Sequence, residues 1–438
     1  MTTPTLRIAV DARIEDLTHE QRTLLLERRP LDEAGLRETV RRILDRVRED
    51  GDTALLEMAR EFDSIELEAL EVPQDRWEKA LNELDPAVRS ALERAARNIR
   101  AFHEAQLPQE LSLEVEPGVL LGRRAVPLAA VGIYAPGGRA AYPSSVLMGV
   151  VPARAAGVTE IVVCSPPGPF GEPPEEVLAA CAIGGATRLF SLGGAGAIGA
   201  LAYGTASVPR VDAIVGPGNR WVTEAKRQVA GELRIDSPAG PSEVLVVADA
   251  TADPTRIALE LIAQAEHDPD AAVGLVSWSS KLVDGVRAEL GRRAARAPRG
   301  DIVEAAFASR GALLLARDRR EALRFAEEYA AEHLALYTDD PRRDMETQST
   351  AGTIFLGDAA SVAFGDYITG ANHVLPTSGR ARSFAGLSTL DFLRFFTWQE
   401  ISPAGAAAMA KDVERLAKAE RLPAHAAAAR ARAVEEVR

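Results

Sequence analysis

Cysteine is nearly absent from this chain, which has only Cys164 and Cys181. Cys164 ends an apolar run and Cys181 lies in an Ala-rich one, so both read as small buried residues. Two thiols, with no long apolar leader at the N-terminus, suggest a reducing cytoplasm. Long apolar runs are also missing. No stretch of about 18 apolar residues occurs, so no transmembrane span is expected. Positive charge is in deficit: 51 Lys and Arg against 64 Asp and Glu leave a net charge of −13. That argues against nucleic acid or an anionic membrane as the main partner. No fixed-period repeat is present. Histidine is scarce, so the positions of His19, His103, His267, His333, His373 and His425 are informative.

What is present is a chain of 438 residues, too long for one ordinary core, with 47% hydrophobic and 26% charged residues. Those fractions fit a globular protein of two or more domains. Residues 1–27 read as an N-terminal arm with a short helix over Glu15–Arg28. Residues 31–106 are charged and helical, over Leu31–Arg60 and Gln74–Gln106, with Val40, Ile43, Leu44 and Val47 at helical spacing.

From about residue 119 short apolar runs alternate with Gly/Pro turns. Strands are predicted at Val131–Tyr134, Glu160–Cys164, Arg188–Leu192 and Ala213–Val215, with helices between them. A second set follows at Val244–Ala248, Val273–Ser277, Ala312–Leu315, Leu334–Tyr337 and Thr353–Leu356. Strand alternating with helix predicts two doubly wound, Rossmann-like parallel-sheet domains. One α/β domain is expected from residues 28–128 and 237–383, carrying substrate and metal. The second, 129–236, is expected on the cofactor side. An Ala-rich helical domain is expected over 384–438.

Several stretches carry candidate chemistry. In the predicted helix Pro254–Glu266, ended by Asp268-Pro269, Gln264 and His267 are three apart and emerge on one face. An imidazole beside an amide oxygen can hold a borderline cation such as zinc. Gly194-Ala-Gly-Ala-Ile-Gly199 matches a phosphate-cradling turn between strand and helix, but the acidic residue expected about 20 residues on is missing. Gly216-Pro-Gly-Asn219 is a second such turn. Glu332-His333, at the mouth of a predicted strand, suits proton transfer. Asp366 and His373 share a polar loop, where sites tend to sit. Each stretch also has an ordinary reading: a helix C-terminal charge partner at His267 or His333, an Asx turn at Asp366, a turn hydroxyl at Ser242, a surface residue at His425. Nothing catalytic is expected of His103.

Together these stretches resemble the histidinol dehydrogenase family, from about residue 30 to 430. The resemblance is carried by Tyr134-Ala-Pro-Gly-Gly138, Tyr142-Pro-Ser-Ser-Val-Leu-Met148, Gly216-Pro-Gly-Asn219 and Ala239-Gly-Pro-Ser-Glu-Val244. It continues in Gln264-Ala-Glu-His267, Glu332-His-Leu334, Gly365-Asp-Tyr367, Asn372-His-Val-Leu-Pro376 and the Glu420 to His425 stretch. The resemblance implies NAD-dependent, zinc-requiring oxidation of L-histidinol to L-histidine through the aldehyde. It implies Gln264, His267, Asp366 and His425 as zinc ligands, in a set with no thiolate. It implies Ser242, His373 and Glu420 as further substrate contacts, His333 as proton acceptor and Glu332 as the activator of water. Tyr134 and Asn219 match NAD contacts. It further implies a homodimer in which the C-terminal segment completes the partner's site.

Two positions depart from the family. Gly196 stands where Gln usually contacts NAD, which removes a polar anchor and creates the Gly-rich match by accident. Ala331 stands where Pro commonly precedes the Glu-His pair, and its absence is expected to loosen that turn. Two other readings compete: a related zinc- and NAD-dependent dehydrogenase of another small alcohol, and a zinc-stabilised scaffold without turnover.

Overall fold

The computed structural model describes residues 6–28, 34–137, 141–237 and 240–433. Leu31 of the first expected helix, Gly138 and Arg139 of the loop after Tyr134, and Pro238 and Ala239 before Ser242 lie outside the described residues.

Two parallel sheets form, as the strand–helix alternation predicted. One has five strands, in the order Arg188–Ser191, Glu160–Ser165, Ala130–Tyr134, Ala213–Val215, Arg234–Ile235. The other has six, in the order Val10–Arg13, Gly311–Leu315, Ala272–Ser277, Glu243–Ala248, His333–Tyr337, Thr353–Leu356. The central strands Ala130–Tyr134, Glu243–Ala248, Ala272–Ser277 and His333–Tyr337 are buried along their whole length, as parallel strands covered on two faces must be. In the six-stranded sheet the chain runs outward one way from Glu243–Ala248 and then returns to lay His333–Tyr337 on its other side. That reversal brings the starts of these two strands together, with His333 in register with Val244.

The helical segment after residue 34 covers the five-stranded sheet. Val40, Leu44 and Val47 of helix Ala34–Asp50 share a core with Ile198, Leu201 and Val222. Ala95, Ala96 and Ile99 of helix Pro86–Glu104 share one with Leu147, Val150 and Val151 on the opposite face. The packing therefore groups this segment with residues 129–236, whereas residues 28–128 were expected to go with 237–383. Burying each such aliphatic chain contributes about 1.5–3 kcal/mol, which exceeds any local propensity. An apolar stripe cannot indicate in advance which sheet will cover it.

Three further differences concern local structure. The expected long first helix is broken at Gly51 into Ala34–Asp50 and Asp52–Phe62. Val10–Arg13, inside the expected arm, pairs in parallel with Gly311–Leu315 as an edge strand. The C-terminal segment is helical over Pro403–Ala419 and Pro423–Arg430, as expected, but it begins with a nine-residue strand, Leu393–Ile401. That strand pairs antiparallel with Val119–Pro127, which pairs in turn with Leu111–Glu116. Its mixed pattern, Leu-Arg-Phe-Phe-Thr-Trp-Gln-Glu-Ile, has no clean alternation because both faces of the ribbon are largely exposed. Among the described residues no helix is long and apolar enough to cross a membrane.

Candidate active site

A cavity of about 810 Å³ lies between the amino ends of the six-stranded sheet and the carboxyl ends of the five-stranded one. The first edge contributes Ser242, Glu332 and His333, with Gln264, His267, Asp366 and His373 beside them. The second contributes Tyr134, Gly196 and Asn219. Ten of the twelve residues singled out in the sequence thus share one space. Glu420 and His425 do not line it and are exposed on the C-terminal helices.

The helix Pro254–Ala265 starts with Pro254 in its first turn and the Asp253 carboxylate accepting the Thr255 amide at 2.8 Å, a standard cap. Ile257, Leu261 and Ile262 bury one face. Gln264 leaves the last turn buried, and His267 follows just past it, exposed. Asp366 sits on the short helix Val362–Tyr367. Glu260 joins the two helices. One of its carboxylate oxygens accepts the Val362 amide at 2.7 Å and the Ser361 hydroxyl at 3.2 Å, and the other accepts the Tyr337 hydroxyl at 3.2 Å. The sequence reading passed over Glu260. Its signal was a carboxylate one turn before Gln264 on the same helix face.

The donor chemistry of Gln264, His267 and Asp366 fits a zinc-type cation, since amide oxygen, imidazole and carboxylate are all zinc ligands. Both cysteines are fully buried in the other sheet's core, and burial pushes their thiols up. Among the described residues no three His, Cys, Asp or Glu side chains form a ready metal cluster. One chain brings three of the four expected donors to the cavity; the fourth, His425, is elsewhere.

Glu332 and His333 are both buried, at 5% and 3% exposed. The Glu243 main chain holds them. Its amide donates to Glu332 Oε2 at 2.6 Å, and its carbonyl accepts from His333 Nδ1 at 2.9 Å. A carbonyl can only accept, so the Nδ1 proton is fixed there and Nε2 is left facing Asp366 Oδ1, 3.7 Å away. Burial would lower His333, but the Glu332 carboxylate at 3.5 Å, with Asp366 and the Glu243 carbonyl, outweighs it and holds the imidazole up at about 9. Burial pushes the Glu332 carboxyl up against the pull of His333 and the Glu243 amide.

Burial also holds His373 down. Its Nδ1 donates to the Asp366 carbonyl at 2.9 Å, and its Nε2 lies 3.4 Å from the Ser145 hydroxyl. His103 is fully buried, bonded to the Ile99 carbonyl, and does not line the cavity.

Ala330, next to the departure at Ala331, has a φ of 52°, costly for a residue with a Cβ. The turn is nevertheless held: the Arg28 guanidinium donates to the Tyr329 carbonyl at 2.8 Å, and the Ala331 carbonyl accepts the Gly352 amide at 2.9 Å.

On the other edge, the buried Tyr134 hydroxyl accepts the Gly194 amide at 3.1 Å, and burial raises it to about 12. Asn219 Oδ1 caps helix Arg220–Val229 by accepting the amides of Trp221 and Val222, leaving its NH2 group for a ligand. Gly216 has a φ of 118°, and a Cβ there would lie 2.1 Å from the Tyr134 carbonyl, so only Gly fits. A buried Lys226–Asp236 ion pair fastens this turn: Asp236 accepts the Gly216 amide at 2.7 Å and Lys226 donates to its carbonyl at 3.0 Å. Nothing in the sequence pointed to that pair, whose members are separated by the strand that joins them. At Gly196 a Cβ would lie 3.0 Å from Met58 Sδ, the end of a flexible side chain, so the backbone there is not what demands glycine.

Comparison with known proteins gives a consistent result. A family model described as histidinol dehydrogenase matches residues 26–433. A histidinol dehydrogenase of Natronomonas pharaonis is 48% identical over 94% of this chain and 97% of its own. One from Pseudomonas fluorescens is 43% identical over 100% of both chains. The crystal structure of histidinol dehydrogenase from Elizabethkingia anophelis superposes with a TM-score of 0.92 at 32% identity, covering 97% of this chain and 98% of that one.

Proposed function

This chain belongs to the histidinol dehydrogenase family, and from that premise we propose that it oxidises L-histidinol to L-histidine through the aldehyde, using NAD and one Zn²⁺ per subunit, in the cytoplasm. The observation that carries the reading is the position of Glu332 and His333. They line one cavity with the metal-type donors Gln264, His267 and Asp366, with His333 Nε2 3.7 Å from Asp366 Oδ1, and with the cofactor-side turn that carries Asn219.

NAD, when bound, supplies the hydride acceptor for both oxidations, and Zn²⁺ supplies a Lewis-acidic centre that holds the substrate. Gln264, His267 and Asp366 would hold the cation. Ser242 and His373 bind and orient the imidazole and amine end of the substrate. His333, with its Nδ1 proton fixed on the Glu243 carbonyl, accepts the alcohol proton at Nε2 as the carbinol carbon gives up hydride. Glu332, a buried carboxyl with a raised proton affinity, takes the proton of the water that adds to the aldehyde. As Glu332 takes that proton, His333 returns its own to the aldehyde oxygen; the resulting hydrate gives up the second hydride while His333 again accepts a hydroxyl proton, and the two protons held by the pair then leave to solvent. The walls of the cavity limit loss of the aldehyde between the two steps.

His425 and Glu420 are assigned to the site of a second copy of the chain. Their exposure here supports this. So does the ribbon that carries the C-terminal segment outward, where Leu111, Leu113, Phe395 and Phe396 are exposed apolar residues that a second copy would cover. The test is a stoichiometric assay with the purified, zinc-loaded protein: two NADH per L-histidinol consumed. Reduction of NAD by another small alcohol but not by histidinol would overturn the substrate assignment, and bound zinc with no turnover of any alcohol would overturn the enzyme reading.

A further inference from the structure

Glu332 and His333 are held by a main chain that is itself held by one buried ion pair. The Glu243 amide and carbonyl grip both residues. The two oxygens of the Glu243 side chain are taken by Arg28 Nε at 2.9 Å and Nη2 at 3.2 Å. The Arg28 and Glu243 side chains are 1% and 2% exposed. A third donor, the Ser378 amide, reaches Glu243 Oε1 at 2.8 Å.

The same guanidinium holds the other side of the pair. Nη2 donates to the Tyr329 carbonyl at 2.8 Å, at the end of the helix that leads into Glu332, and the group lies 3.6 Å over the Tyr329 ring. Nη1 donates to the Leu25 carbonyl at 2.6 Å. Arg28 itself has a φ of 22°, a backbone conformation that persists only where the surroundings over-determine it. One planar, five-donor group thus ties strand Glu243–Ala248 to the turn at Tyr329–Ala330, the two main-chain segments between which Glu332 and His333 are suspended.

We infer that Arg28, acting through Glu243, is a positioning residue for the oxidation: it fixes the spacing of the Glu243 amide and carbonyl relative to Glu332 and His333. This rests on the function proposed above. Arg28 does not line the cavity, so it touches neither substrate nor cofactor. A buried ion pair adds little net stability over an apolar isostere, so its bidentate geometry, rather than its energy, is the feature that function uses.

The test compares Arg28→Lys, which keeps the charge but loses the fork and the stacking, with Glu243→Gln, which keeps the shape but loses the charge. For Arg28→Lys, kcat with histidinol should fall about 10- to 100-fold, the cost of displacing a reacting group by about 1 Å, while KM for histidinol and for NAD stays within about twofold. Glu243→Gln should lose less than Arg28→Lys. In a Glu332→Gln background, Arg28→Lys should add clearly less than the loss it causes alone, because one of the two groups it positions is already disabled. A lowered melting temperature with unchanged kcat, losses that multiply in the Glu332→Gln background, or failure of both single variants to fold would each overturn the inference and leave the pair a fold requirement. The wild type in the same assay separates the two ideas: no histidinol turnover there overturns the functional reading, whereas full turnover in Arg28→Lys overturns the positioning role.

Discussion

Glu260 offers a quantitative check on how the cavity is built. It is 7% exposed and bonds to the Val362 amide, the Ser361 hydroxyl and the Tyr337 hydroxyl. Glu260→Leu removes all three bonds. Tyr337 retains the Ala360 carbonyl at 3.3 Å and Ser361 can reach water, but the Val362 amide is left buried without an acceptor. An orphaned buried amide costs about 1–3 kcal/mol and each lost bond about 1 kcal/mol, so the variant should be about 3–4 kcal/mol less stable. Glu260→Gln can still accept from Val362 through its amide oxygen and should lose only about 1 kcal/mol. The consequence for function comes through Asp366, whose helix starts at Val362. Loss of an outer support of this kind typically weakens metal binding about 10–100-fold. Denaturant unfolding of the zinc-free variants at constant m-value measures the first effect, and competition with a chelator of known affinity measures the second. A Glu260→Leu protein less than about 1 kcal/mol destabilised, or one with wild-type zinc affinity, would refute the reasoning.

Other outcomes follow from the same geometry. His333→Ala should retain zinc and NAD binding while kcat falls about 10²–10⁴-fold; a fully active variant would remove His333 from its role. Chains carrying His425→Ala and chains carrying Glu332→Gln should each be nearly inactive, yet mixed dimers should regain activity, because one site per dimer would have both groups intact. Absence of complementation would place His425 in its own chain's site. Gly196→Gln should lower KM for NAD several-fold, at a small stability cost set by the 3.0 Å approach to Met58 Sδ; an unchanged KM would show that the position no longer contacts the cofactor.

Asp52 provides the pH test. Burial pushes its carboxyl up, but the Ser207 hydroxyl at 2.6 Å, Thr205 and the Ser207 amide outweigh this and hold it below its ordinary value. A depressed folded-state value means the contribution is complete above the unfolded carboxylate range, near 3.8, and is lost as pH falls through the folded value. The stability difference between wild type and Asp52→Asn should therefore shrink on acidification below about pH 5. A difference independent of pH would refute the assignment.

The legible parts of this protein were local. Thr353–Leu356 and Ala213–Val215 were predicted to the residue and the other predicted strands to within one, because a buried parallel strand is a short apolar run between turn residues, whereas the edge strands Val10–Arg13 and Arg234–Ile235 were not predicted. The strand Leu393–Ile401 was missed because neither of its faces is cleanly buried. Helix Gly300–Arg310 was missed as well, although it buries Val303, Ala306 and Phe307. Among the site residues, motifs marked those that would meet a ligand. They left Arg28, Glu260 and Asp236 unmarked and gave no role to Glu243 or Lys226, which lie inside motifs but meet only other protein groups. A buried charged residue looks the same in sequence as a solvated one until its partner is known.

By itself the sequence determined the type of the elements that bury a clean apolar pattern, the two-sheet α/β class and, through the resemblance, the family. All of these depend on residue identity or on spacing within one element. Tertiary structure decided which sheet the helices after residue 34 cover, that ten candidate residues converge on one cavity while His425 does not, and that a carbonyl fixes the proton of His333. Those outcomes depend on strand order and on the reversal between Glu243–Ala248 and His333–Tyr337. Contacts across that reversal join segments far apart in the chain, and no local periodicity encodes them.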